Sequence, residues 1–312
     1  MNNFLLSFSA VFPLILNLAI GFMLMKINLI DKHSSDKMNT LVFKVFMPLS
    51  LFNNIYHTDI SNVFNAKLTI FMLSALVISF VFLMVVVPLF VKTQNQKGVI
   101  IQAIFRGNFL IFGLPVVTAL CGDENVGLTS LLIGLIVPVY NILAVICMEF
   151  FREGNVNFKK ILLGMLKNPL IIASVLGIAF VLIGIKIPNI FEKSITDISK
   201  VSTPLSLIVL GASFTFSSLK GNTVKLLWGA LGRLVFTPLV FIPLAVYFGF
   251  RGIELATILV FLASPTAVSS YVMAKQMGGD DVLAGQYVVI CSISAIFTVF
   301  LWIYTLVSFN LI

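Results

Sequence analysis

The chain has 312 residues, of which 59% are hydrophobic and only 10% charged, with a mean hydropathy of +1.10. A soluble globular chain carries roughly 25% charged residues, so the composition excludes a water-soluble enzyme and describes an integral membrane protein. The apolar runs are long and continuous, which excludes an outer-membrane barrel; the net charge of +8 reads as loop Lys and Arg, and no basic run is interleaved with aromatics as a nucleic-acid surface requires.

A spanning helix takes about 20 apolar residues. On that measure the sequence predicts ten spans, at roughly 4–26, 38–57, 68–91, 98–121, 126–150, 160–185, 201–219, 224–248, 252–276 and 282–309. The expected fold class is an all-α membrane protein of ten transmembrane helices. No basic n-region precedes the first apolar stretch, so a cleaved signal peptide is not expected. The second and seventh spans are short and carry Pro48 and Pro204. With the N-terminus outside, inner loops hold Lys26, Lys32, Lys37, Lys92, Lys97, Arg152, Lys159, Lys160, Lys220, Lys225 and Lys275. Outer loops then hold Lys67, Lys186, Lys193, Lys200 and Arg251. That excess favours a cell-membrane protein with both termini extracytoplasmic.

The chain repeats itself. Pro13-Leu14-Ile15 followed by Gly21 recurs as Pro169-Leu170-Ile171 followed by Gly177, and Pro48-Leu49-Ser50-Leu51 recurs as Pro204-Leu205-Ser206-Leu207, always at an offset of 156. Pro88 and Pro243 match at an offset of 155. Half the chain is therefore a five-helix unit, residues 1–153 and 154–312. Five is odd, so two successive copies must have opposite orientation. Inverted repeats of this kind mark secondary transporters, whose substrate site lies near the midplane where the repeats meet.

The fourth and ninth spans carry matching helix breakers near mid-depth, Gly107 in one and Pro265 in the other, 158 residues apart. A break frees N–H groups on one half-helix and carbonyls on the other, and such backbone is tolerated only in a protected or wet cavity. The freed N-termini favour anions. Arg106 stands beside the first break. A charge at that depth costs at least ~2.5–3.5 kcal/mol, and its guanidinium can grip a carboxylate with two bonds. Arg233 is comparably deep in the eighth span, with no break beside it. No Asp or Glu lies at mid-depth, which argues against cation exchange and fits an anionic substrate.

The expected substrate-binding residues are Arg106, Gly107, Asn108, Asn141, Ser264, Pro265, Thr266 and Ser294, with Gly107, Pro115 and Pro265 as helix breaks or hinges. Asn108 sits at the break, and Asn141 follows Pro138 in the next span. Asn17, Ser50, Asn53, Asn54, Ser206, Gln286 and Ser292 are the other polar residues in the spans, and most polar residues there bond neighbouring helices. Cys121, Cys147 and Cys291 form no pair motif, and His33 and His57 lie in or beside polar connections, so no metal site, cofactor or catalytic residue is expected.

Arg106-Gly107-Asn108 followed by Gly113-Leu114-Pro115 resembles the fourth span of the auxin efflux carrier family. So do Lys167-Asn168-Pro169-Leu170-Ile171 and Ser264-Pro265-Thr266 through Ala274-Lys275-Gln276 in their own spans. The resemblance covers essentially the whole chain and is nearer the bacterial permeases, often described as malate or malonate transporters, than the plant carriers. It implies two crossing broken helices, a transport domain of spans three to five and eight to ten, and a scaffold of spans one, two, six and seven that also makes a homodimer contact. It implies elevator-like movement of small organic anions across the bilayer. Plant carriers show Pro-Asn at the first crossover where this chain has Gly107-Asn108, and the added Arg106 suits a small, highly charged acid better than an aromatic monoacid such as auxin.

The expected function is secondary transport of mono- or dicarboxylates such as malate or malonate. One alternative is a sodium-coupled symporter of the bile-acid type, which needs acidic and amide ligands near the crossing. A membrane sensor lacks an attached signalling domain, and a membrane enzyme lacks a mid-depth catalytic group. Coupling to H⁺ could use the protonated acid, Glu149 or Glu254, and coupling to Na⁺ would use Asn and Ser ligands.

Overall fold

The structure, a computed structural model, describes residues 2–57, 65–122, 126–152, 166–213 and 221–312. The expected junction between the two halves, at 153/154, lies outside the described residues, as do the predicted span ends at 160–165 and 214–219. Apart from short connections and one crossing of extended segments, the described chain is helical. The α-helices are α1 (Asn2–Lys26), α2 (Lys32–Leu41), α3 (Met47–Tyr56), α4 (Ala66–Phe90), α5 (Gln94–Phe105), α6 (Leu114–Cys121), α7 (Val126–Phe150) and α8 (Pro169–Ile183). They continue as α9 (Asn189–Lys200), α10 (Ser202–Ser213), α11 (Thr223–Leu231), α12 (Thr237–Tyr247), α13 (Gly252–Ala263), α14 (Ser269–Met277) and α15 (Asp281–Ser308).

Among the described residues, five uninterrupted or nearly uninterrupted helical stretches are long and apolar enough to cross a membrane, namely Ala66–Phe90, Leu131–Phe150, Asn189–Ala212, Thr223–Tyr247 and Asp281–Ser308. Helix α4 shows the logic. Leu68, Met72, Ala75, Leu76, Phe80, Leu83 and Val87 form its buried face at helical spacing. Its other faces carry Ile70, Val77, Ile78, Val81, Phe82, Val85 and Leu89, all exposed. A helix apolar all round, with half its surface uncovered by protein, is built for lipid.

The seventh predicted span begins earlier than the sequence indicated. Helicity starts at Asn189, not 201, and α9 and α10 run on with only Val201 between them. Lys193 and Lys200, read as loop charges, therefore sit on a helix. Helix α9 is amphipathic, with Ile190 and Phe191 exposed between Lys and Glu, so an apolar-run criterion passes over it.

Among the described residues, three π turns interrupt the helices, at Val42–Phe46, Phe109–Gly113 and Gly232–Phe236. Each ends two residues before a proline: Pro48, Pro115 and Pro238. A proline has no N–H and its ring collides with the carbonyl four residues back; widening the turn ahead of it relieves that contact. For Pro238 that carbonyl belongs to Leu234, and it accepts the Trp302 Nε1–H at 3.1 Å.

Helices α1 and α10 pack backbone to backbone. A Cβ on Gly21 would lie 2.0 Å from the Ile208 oxygen, and one on Gly211 would lie 2.0 Å from the Leu18 oxygen. Helices α8 and α3 also cross at a glycine, but there a Cβ on Gly177 would meet the Ile55 side chain at 3.0 Å. Small residues let membrane helices approach this closely.

The broken helices lie innermost. Every residue of α13 from Leu255 to Ala263 is buried, and α5 is buried from Gly98 through Ala103. Surrounding helices thus keep lipid away from the irregular backbone that these two elements contain, as the absence of water in hydrocarbon demands.

Candidate functional site

Helix α5 stops at Phe105, and Arg106 is extended with φ −99° and ψ 99°. Helix α13 stops at Ala263, and Ser264 is extended with ψ 147°, because a residue before proline is driven out of the α region. The two extended segments pair. Gly107 and Thr266 form an antiparallel bridge, in which Asn108 N–H donates to the Pro265 oxygen at 2.7 Å and Ala267 N–H donates to the Arg106 oxygen at 3.1 Å. The Thr266 hydroxyl donates to the Ala103 oxygen at 2.8 Å. Four backbone groups freed by the breaks are satisfied by this two-strand contact.

Gly107 lies in the interruption between α5 and the next helical turn, and it also makes room for Arg233. Its φ is not positive, so the break does not rest on glycine's conformational freedom. The Arg233 side chain passes against its Cα, and an added Cβ would lie 1.8 Å from Nη2. Arg233 is placed differently from expectation. It is bonded to both breaks: Nε and Nη2 reach the Ser264 and Phe261 oxygens at 2.8 and 2.7 Å, Nη2 reaches Ser264 Oγ at 3.1 Å, and Nη1 reaches the Ile104 and Phe105 oxygens at 3.3 and 3.2 Å.

On the other side of the crossing lies a cavity of about 110 Å³. The start of each returning half-helix lines it, through Asn108, Phe109 and Leu110 in one and Ala267, Val268 and Ser269 in the other. Arg106, Tyr140 and Asn141 form a second wall. Ser50 and Asn54 of α3 and Ser202, Thr203 and Ser206 of α10 form a third. Ser50 and Ser206 are the matched serines of the two Pro-Leu-Ser-Leu repeats.

Arg106 is 3% exposed. Its Nη1 donates to Gln102 Oε1 at 3.2 Å and to the Met273 sulfur, and its Nη2 donates to Asn141 Oδ1. The Asn141 amide is held in turn by the Val137 oxygen at 2.9 Å. All these partners are neutral, and among the described residues Arg106 makes no ion pair. The Asn108 Nδ2 is buried and has no hydrogen-bond partner among the described residues.

Of the residues expected at the site, Arg106, Gly107, Asn108 and Asn141 line the cavity. Ser264, Pro265 and Thr266 do not; they are spent on the crossing itself. Ser294 lies half-buried on α15 outside the cavity lining, and its carbonyl accepts the Thr298 hydroxyl at 3.2 Å. Pro115 is the second residue of α6, just past a π turn. Glu254 accepts a bond from Asn65 and Glu149 pairs with Arg152 at 3.2 Å; neither lines the cavity. Tyr140, Ser202, Thr203 and Ser269 were not anticipated. For the last three the available signal was position, since each sits at or near a helix start.

Two stretches, residues 6–160 and 156–303, match the family described as membrane transport protein. The chain is 23% identical over 290 residues to an uncharacterized transporter of Methanocaldococcus jannaschii, a match that covers 91% of this chain and 93% of that protein. The broken, lipid-shielded crossing and the family match agree, and the chain is a multi-pass membrane transporter, not an enzyme, belonging to the membrane transport protein family, the auxin efflux carrier family.

Proposed function

We propose that the chain is a secondary transporter of small organic anions, mono- or dicarboxylates of the malate or malonate size, and that the carboxylate binds in the cavity at the crossing. One observation carries this reading: Arg106 is buried, borders the cavity, and among the described residues has only neutral partners. A buried charge without a counter-charge is strongly unfavourable. An anionic substrate supplies the missing charge. The electrostatics favour a dianion. Arg106 contributes +1, and two half-helix N-termini contribute about +0.5 each, giving a site of about +2.

The matching stretches in each half and the repeated motifs support ten spans in two inverted units, 1–153 and 154–312. In this reading the crossing helices belong to a transport domain of spans three to five and eight to ten. The serines of α3 and α10 belong to a scaffold of spans one, two, six and seven, past which the loaded crossing moves in an elevator-like step. A homodimer through the scaffold and extracytoplasmic termini complete the proposal. A sodium-coupled symporter is the weaker alternative, because no Asp or Glu among the described residues lines the cavity. Uptake of labelled malonate and malate into proteoliposomes, with and without Na⁺, tests the proposal. Saturable uptake that persists without Na⁺ is expected. Absence of carboxylate uptake in vesicles holding folded protein rejects the anion assignment, and strict Na⁺ dependence selects the symporter.

A further inference from the structure

Each break ends one half-helix in free carbonyls, and a helix C-terminus carries roughly half a negative charge. Both of these ends meet one side chain. Arg233, 1% exposed, takes the Ile104 and Phe105 oxygens of α5 and the Phe261 and Ser264 oxygens around the end of α13. It makes no ion pair among the described residues. Its unit charge therefore matches about −0.5 plus −0.5 from the two helix ends. It does not line the cavity, yet Gly107, which does, is its immediate neighbour.

We propose that Arg233 is a positioning residue for anion binding: it cancels the negative ends of the two broken helices, so that an anion at their positive ends meets a net positive field. This rests on the carboxylate reading above. Without Arg233, about one unit of negative charge from the carbonyl ends faces the site across the crossing. At about 10 Å and an effective dielectric near 20, that weakens binding about tenfold per unit of substrate charge. A dianion therefore suffers about tenfold more than a monoanion, a selectivity change that loss of packing alone does not produce.

The test compares Arg233→Gln and Arg233→Lys with the native protein in detergent. Malonate and propionate affinities are measured by calorimetry near neutral pH, and hydrogen–deuterium exchange of segments 101–110 and 260–270 is followed without ligand. Arg233→Gln is expected to lower the malonate-to-propionate affinity ratio about tenfold and to expose both segments together. Arg233→Lys is expected to keep the ratio within about threefold of native, because it keeps the charge, while exchange rises because an ammonium lacks the planar fork. An unchanged ratio in Arg233→Gln overturns the electrostatic role, and unchanged exchange overturns the cross-link. Should Arg233→Gln fail to fold, Gly107→Ala, which displaces Nη2 but keeps the charge, is expected to raise exchange in both segments together while Ser264→Ala, which spares the carbonyl bonds, does not; equal exchange in the two overturns the cross-link on which the proposal stands. If the native protein binds neither acid, the carboxylate reading falls, and the exchange measurement still decides whether Arg233 joins the two breaks.

Discussion

Replacing Arg106 with methionine separates the two things that a buried arginine can be. Arg106 is 3% exposed and, among the described residues, has only neutral partners. Removing a charge at mid-depth returns roughly 2.5–3.5 kcal/mol on insertion scales. The change strips donors from Gln102 Oε1 and Asn141 Oδ1. A buried polar atom left unpaired costs about 1–3 kcal/mol, and Asn141 borders the cavity, where water can replace the lost donor. The ligand-free variant should therefore be as stable as the native protein, or more stable by up to about 2 kcal/mol. Binding moves the other way. Truncating one partner of a buried charge pair costs about 2–5 kcal/mol, which weakens malonate binding roughly 30- to several-thousandfold. Thermal unfolding in detergent, with and without malonate, reads both effects, since a ligand that binds only the folded state raises its apparent stability. A variant that unfolds well below the native protein in the absence of ligand refutes the reasoning, as does one that keeps its malonate shift.

Other perturbations follow from the packing. Gly211→Ala puts a methyl group 2.0 Å from a backbone oxygen of α1, whereas Gly177→Ala meets the Ile55 side chain at 3.0 Å; the first should lose about 3 kcal/mol and the second about 1, as read by thermal unfolding. Trp302→Phe removes the donor to the Leu234 carbonyl that Pro238 displaces and should cost about 1 kcal/mol, whereas Trp302→Phe combined with Pro238→Ala should recover part of the loss. Asp31 caps α2 by accepting the Ser34 N–H at 2.7 Å, and hydrogen bonding from the Ser34 side chain, together with that N–H, holds its carboxyl below the ordinary value of 3.8. Its contribution is complete above 3.8 and fades as pH falls through the lower folded-state value, so Asp31→Asn should flatten the acid limb of the pH–stability curve.

The crossing was readable where a residue's own backbone decides the outcome. Pro265 forces Ser264 out of the helix whatever surrounds it, and the paired motifs around Ser50 and Ser206 placed both serines at one cavity. Arg106 and Asn141 were legible because a cation and an amide deep in apolar spans need a polar purpose. Arg233 was not. Its partners are main-chain carbonyls from helices 28 to 129 residues away, and a carbonyl has no letter in the sequence. Gly107 was legible as an interruption of the helix, but its second role was not: a Cβ there would meet the Arg233 guanidinium, a partner that lies far away in the sequence. Ser264 and Thr266 face the crossing and Ser294 lies apart, because in a bundle apolar on all sides periodicity does not say which polar residue faces the cavity. The amphipathic α9 escaped the apolar-run test for the opposite reason, being too polar to register.

The unequal glycine crossings bear on how the proposed inverted repeats share their conformations. An offset of 156 carries Gly21 onto Gly177 and Ile55 onto Gly211, so the α1–α10 and α8–α3 contacts are one crossing built twice. In one copy two glycines bring the backbones into touch; in the other an isoleucine replaces one glycine and props them apart. If the two halves were interchangeable, the conformation open to one side of the membrane and its two-fold image open to the other would be degenerate. The Gly211–Ile55 difference lifts that degeneracy, and an imbalance of 1.4 kcal/mol is already a factor of ten in an equilibrium constant. The α1–α10 and α8–α3 crossings are thus one place where the two halves depart from each other, and in the proposed inverted-repeat carrier such a difference biases the resting protein toward one side of the membrane.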